Sequence, residues 1–159
     1  LMTANVEGRL TEHQIELPQT TASVANYVPY LLSGKIIYIS GQITVWNGDL
    51  RYKGKLGKNI SIDEGYQAAR LCGLNLLAQL KSACGGDLDR VTRVIKLGGF
   101  VNCTPDFTDH PAVINGASDL MLDVFGDTGR HARFAVGASS LPLGVAVEID
   151  GTFEIKKGD

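Results

Sequence analysis

The chain has 159 residues, 44% of them hydrophobic and 20% charged, which suits one domain with its own core and is too short for two comfortable ones. A net charge of −2 gives no electrostatic footprint for nucleic acid, and the most basic stretch, RYKGKLGK at 51–58, reads as a glycine-punctuated solvated loop. No secretory h-region and no membrane-length apolar run is visible, so the expectation is a cytoplasmic protein without a membrane partner.

The leucine ahead of Met2 reads as a remnant preceding the native start. Residues 1–26 are weakly patterned, with ELP at 16–18 and a polar QTTAS, and read as an N-terminal extension packed on a domain spanning 27–159. KIIYISGQITVW (35–46) is rich in β-branched and aromatic residues and predicts a strand. It runs into Asn47-Gly48, the strongest short hairpin signal, with DLRY returning.

Ser61 and Glu64 have capping-box spacing, in which each side chain satisfies an orphan N–H of the first turn. Tyr66, Ala69, Gly73, Leu76, Leu77 and Leu80 then follow a 3.6 period, and Gly85-Gly86 stops the helix. RVTRVIKLGGFVN (90–102) predicts a strand. A second helix opens near Asp109 with Pro111 in its first turn; its stripe is Val113, Ala117, Leu120, Met121 and Val124, and Gly126 ends it. Strands follow at about 132–138 and 144–155. The order implies an α+β fold, a single mixed sheet with two helices on one face.

Cys72, Cys84 and Cys103 are odd in number and lack CxxC spacing, and His13, His110 and His131 share no ligand spacing with them. Reduced thiols and no metal site are expected, with Cys72 and Cys84 both placed in the first predicted helix. No motif for a nucleotide or flavin is present, so no cofactor is expected.

Two lone charges stand in the final strands, Arg133 and Glu148. If those strands form a hairpin about Ser140-Leu141, the two residues lie opposite each other. One reading is a cross-strand ion pair. The other is a carboxylate-gripping site, because Ala135, Gly137 and Ala146 leave room beside a guanidinium suited to two-point recognition. The local pattern admits both.

HARFAVGASSLPLGVAVEI (131–149) resembles the signature of the RidA/YjgF family, reactive-intermediate deaminases also labelled endoribonuclease L-PSP. YISGQI (38–43), FVN with DF (100–107) and INGASDLM (114–121) resemble further blocks in the family's order. The resemblance implies the chorismate-mutase-like fold, a homotrimer with a central barrel, and ligand clefts between subunits. It also implies hydrolytic deamination of 2-imino or enamine acids to 2-keto acids and ammonia. Arg133 matches the arginine holding the substrate carboxylate, and Glu148 the glutamate that positions water. Tyr27, Ser40 and Asn115 match cleft positions. Their plainer alternatives are packing for Tyr27, a strand-end backbone bond for Ser40 and an exposed helix face for Asn115. Many deaminase members carry cysteine two residues after the arginine, where this chain has Ala135, and it resembles a longer subgroup. Two other function classes stay open: a non-catalytic binder of small carboxylates, and an endoribonuclease.

Overall fold

A computed structural model of the chain describes residues 5–23 and 25–157, so the reading of Leu1 and Met2 lies outside the described residues. Helix α1 (Val6–Glu12) starts at Asn5, whose side chain accepts from the Gly8 N–H at 2.7 Å. Its Val6 and Leu10, one turn apart, are buried. Strands β1 (Tyr30–Ser33) and β2 (Ile36–Gln42) form an antiparallel hairpin, with Gly34 at φ 62° supplying the left-handed turn residue.

The predicted strand 35–46 breaks after Gln42. Its end, β3 (Val45–Trp46), pairs only with β4 (Asp49–Leu50) across Asn47-Gly48, both at positive φ, as the hairpin signal requires. Helix α2 (Ile62–Ala83) has the capping box in full, Glu64 N–H to Ser61 Oγ at 3.1 Å and Ser61 N–H to Glu64 Oε1 at 3.0 Å. Cys84 lies just past this helix as its C-cap, because Gly85 and Gly86 turn left-handed there. Strand β5 (Val91–Asn102) leads to helix α3 (His110–Phe125), then to β6 (Ala132–Ala138) and β7 (Val147–Ile155).

The sheet order is β1-β2-β7-β5-β6, with β5 and β6 parallel and the other pairs antiparallel. The last two strands are therefore not a hairpin: β5 lies between them. Helix α3 carries the chain over the sheet, so β6 returns parallel to β5 at the edge. Between β6 and β7 the chain turns through Pro142, Leu143 (φ 58°) and Gly144 (φ 74°), and the Asn102 amide holds Val145 O at 3.0 Å.

Both long helices cover one face of this sheet, and Val113, Ala117, Leu120, Met121 and Val124 are all buried there as the stripe predicts. The helices meet at backbone distance, since a Cβ on Gly116 would lie 2.0 Å from the carbonyl oxygen of Tyr66. The opposite sheet face is bare: Leu31, Tyr38, Phe100 and Val136 are 38% to 59% exposed.

Candidate functional site

The register of β5 decides how the two lone charges relate. Leu97 pairs with both Arg133 and Gly151, whereas Phe100 pairs with both Val136 and Glu148. Positions 97 and 100 are an odd number of residues apart in a regular stretch, so their side chains point to opposite faces. Arg133 faces the helices and Glu148 faces the bare side. Within one chain they are no ion pair, and the sequence-derived apposition fails because it assumed a hairpin.

Each charge instead has its own surroundings. Arg133 Nη1 donates to Asn115 Oδ1 at 2.8 Å and to Ser118 Oγ at 3.1 Å, both on α3. Ser118 Oγ also lies 2.8 Å from His131 Nε2, and His131 Nδ1 lies 2.6 Å from Gly129 O. A carbonyl only accepts, so Nδ1 carries the ring proton and Nε2 accepts from the serine hydroxyl. Burial pushes the His131 pKa down, with the Arg133 charge adding to this against the Gly129 bond, which keeps the ring neutral and the relay in place. Asn115 thus joins Arg133, while Ser118 and His131 escaped sequence reading. No fixed spacing links positions 118, 131 and 133.

Glu148 lies against β2. The pairing Ile39↔Gly151 and Gln42↔Ile149 leaves one extra residue in β2, a bulge at Ser40-Gly41. A Cβ on Gly41 would stand 2.5 Å from Glu148 Oε2, so only glycine leaves the carboxylate its place. Burial, and next the charge of Asp150, raise the Glu148 pKa above the usual carboxylate value. The carboxylate opens on a cleft of 780 Å³ whose walls include Tyr27, Ser40, Pro142 and Leu143. Tyr27 is half-exposed there. Ser40 donates its hydroxyl to Val28 O at 2.7 Å, which ties the strand to the segment that follows Tyr27.

The five residues singled out in the sequence thus fall into two groups, Arg133 with Asn115 and Glu148 with Tyr27 and Ser40. One further pair has no sequence spacing to announce it: Cys103 Sγ lies 3.5 Å from His110 Nε2. No third histidine, cysteine or acidic residue joins them in a metal-binding group among the described residues. No helix among the described residues is long and apolar enough to cross a membrane.

Comparison with known proteins adds four findings. The family model described as "YjgF/chorismate mutase-like, putative endoribonuclease" matches residues 7–149. Protein TCP17 of Trypanosoma cruzi is 46% identical over 151 residues, covering 94% of each chain. The crystal structure of protein Atu1372 from Agrobacterium tumefaciens, of unknown function, is 46% identical with a TM-score of 0.89, over 95% of this chain and 92% of that one. The YjgF gene product of E. coli, at 22% identity and a TM-score of 0.63 over 87% of this chain and 94% of that one, shares the fold.

Proposed function

The chain belongs to the YjgF/chorismate mutase-like family, and from that premise we propose that it hydrolyses 2-imino acids, or their enamine tautomers, to 2-keto acids and ammonia. The observation that carries the reading is the opposite facing of Arg133 and Glu148. Two incomplete half-sites on two faces become whole when one copy's Arg133 side meets another copy's Glu148 cleft. The bare apolar sheet face supports assembly, since exposed apolar patches on this scale mark interaction surfaces. A closed ring of three, each copy giving one half-site to each neighbour, satisfies every half-site.

In such a cleft Arg133, braced by Asn115 and Ser118, binds the substrate carboxylate with its remaining guanidinium donors. Glu148 accepts a proton from water as the water oxygen bonds to the imine carbon, and the C=N π pair moves to nitrogen. That proton passes from Glu148 to the nitrogen to give the carbinolamine. Glu148 then takes the carbinolamine hydroxyl proton and hands it to the amine as the C=O bond forms and the C–N bond breaks, releasing ammonia and the keto acid. A raised pKa suits both kinds of transfer, because it makes the carboxylate a stronger base toward the attacking water while the carboxyl so formed remains acidic enough to protonate the far more basic nitrogen. Ala135, in the place of the cysteine many members carry, takes nothing from this route, which forms no covalent bond between enzyme and substrate. A basic surface for RNA is weakly supported, because Lys55 Nζ is already bonded to Asn102 Oδ1 at 2.8 Å.

An amino-acid oxidase generating imino acids in situ tests the proposal, with keto-acid appearance timed with the protein, with Arg133→Ala and with neither. Acceleration lost in the folded variant is expected. Equal turnover by the variant overturns the site, and no acceleration by the wild type moves the reading to a carboxylate binder sharing the cleft.

A further inference from the structure

We propose that the site takes substrates bearing one carboxylate and a bulky uncharged apolar side chain, of branched aliphatic or aromatic class, and rejects acidic ones. This deepens the deaminase reading and rests on it. The argument is in the walls of the Glu148 cleft. Its 780 Å³ lies in the range that encloses a small ligand together with a sizeable side chain. Ile43, Val45 and Leu50 form one wall, and Tyr27, Pro142 and Leu143 stand about its mouth.

Two polar groups at the base of the wall are turned elsewhere. Ser40 Oγ donates to Val28 O at 2.7 Å, and Gln42 Nε2 to Ser40 O at 3.0 Å. Among the described lining residues there is no lysine, arginine or histidine. A second carboxylate on the substrate would therefore meet Glu148, whose own charge is already disfavoured by burial and by Asp150. Among this chain's own lining residues it would find no cation to offset that repulsion. An apolar chain loses nothing and gains burial.

The β3–β4 ribbon is the device that sets this preference. Val45 and Leu50 face each other across it, held by the Asn47-Gly48 turn, and both line the cleft. Its apolar face makes the wall. Leu143 completes the enclosure from the β6–β7 turn and is two-thirds exposed, so it can be replaced without opening the core.

The experiment compares kcat/KM for imines generated by an amino-acid oxidase from leucine, phenylalanine, alanine and aspartate, with the wild type and with Leu143→Lys and Leu50→Thr. Each methylene in an apolar pocket is worth about tenfold or more in discrimination, so leucine and phenylalanine imines are expected to exceed alanine and aspartate imines by at least about that factor. Leu143→Lys is expected to raise the aspartate rate relative to leucine, and Leu50→Thr to lower the leucine rate. Equal rates for all four imines, or a preference for aspartate, overturn the apolar assignment while leaving the deaminase reading standing. If no imine is accelerated by folded protein, the deaminase reading fails, and calorimetry with 4-methyl-2-oxopentanoate and 2-oxobutanedioate decides the pocket. Tighter binding of the branched keto acid supports the apolar cleft, and equal, absent or reversed binding overturns it.

Discussion

If each site draws Arg133 from one copy and Glu148 from the next, two inactive variants should rescue each other. Arg133→Ala removes the carboxylate grip, and Glu148→Gln removes the proton acceptor while keeping the shape of the side chain. Neither residue lies in the helix-packed core, so both variants should fold. In rings of randomly mixed subunits, a given cleft is intact when its arginine comes from the Glu148→Gln chain and its glutamate from the Arg133→Ala chain. Each choice has even odds, so about one quarter of clefts are whole in an equal mixture. The assay is keto-acid formation by co-expressed, differently tagged variants purified through both tags, which enriches mixed rings. Every mixed ring of three has one whole cleft, so activity returning toward a third of the wild-type value per chain is expected after the double purification. Mixed assemblies as inactive as the two parents would refute the shared site, because a cleft contained in one chain cannot be rescued by a neighbour.

Gly41→Ala should separate activity from stability. Its Cβ would stand 2.5 Å from Glu148 Oε2, where ordinary contact begins at 3.4 Å, so the carboxylate must shift by about 0.9 Å. Such a displacement costs about a hundredfold in kcat, while the urea midpoint stays near wild type because a side-chain end can move aside; a wild-type kcat would count against Glu148. Gly116→Ala should do the reverse of sparing the fold. The clash at 2.0 Å is with a backbone oxygen, so a loss of about 1–3 kcal/mol or more is expected by urea unfolding, and an unchanged midpoint would contradict the helix contact. Ser118→Ala should raise KM more than it lowers kcat, with Ser118→Thr restoring it, because the hydroxyl braces Arg133 rather than touching the reacting carbon; an unaltered KM would remove the relay. For pH, kcat/KM should fall as acid protonates Glu148, above the 4.5 of a free glutamate. Stability runs the other way: a carboxyl with a raised folded pKa favours the fold below its unfolded value and loses that advantage as pH climbs through the folded one. Urea midpoints of wild type against Glu148→Gln should therefore diverge as pH rises over that window, and parallel curves would deny the burial of the carboxyl.

Local chemistry was legible in the chain wherever it acts over a few residues. The Ser61–Glu64 box, the Asn47-Gly48 turn, the Gly85-Gly86 stop and the α3 stripe each appear as their spacing requires. What the sequence hid was sheet order. Nothing in residues 131–155 states that β5 comes between β6 and β7, because that is settled by the path of α3 over the sheet and the parallel return it forces. The same gap hid the relay, since Ser118 and His131 meet Arg133 only once α3 lies over β6. The backbone bond of Ser40, from its hydroxyl to Val28 O, matches one of the two readings open to it, and its place in the cleft lining leaves the other open. The break of the predicted strand after Gln42 was not, for Val45 and Trp46 have strand propensity but pair in a separate ribbon.

The wall that bears Tyr27 is fastened through main-chain carbonyls. Ser40 holds Pro29 O with its amide at 2.9 Å and Val28 O with its hydroxyl, and the buried Gln79 amide holds Thr21 O at 3.0 Å. The acceptors are the carbonyls of Thr21, Val28 and Pro29, so the side chains at those positions are at liberty to vary while the fastenings stay in place. The arrangement also works as a clock. The rate at which the Ser40 amide proton exchanges with solvent therefore reports how often its bond to Pro29 O, and with it this fastening of the wall, opens.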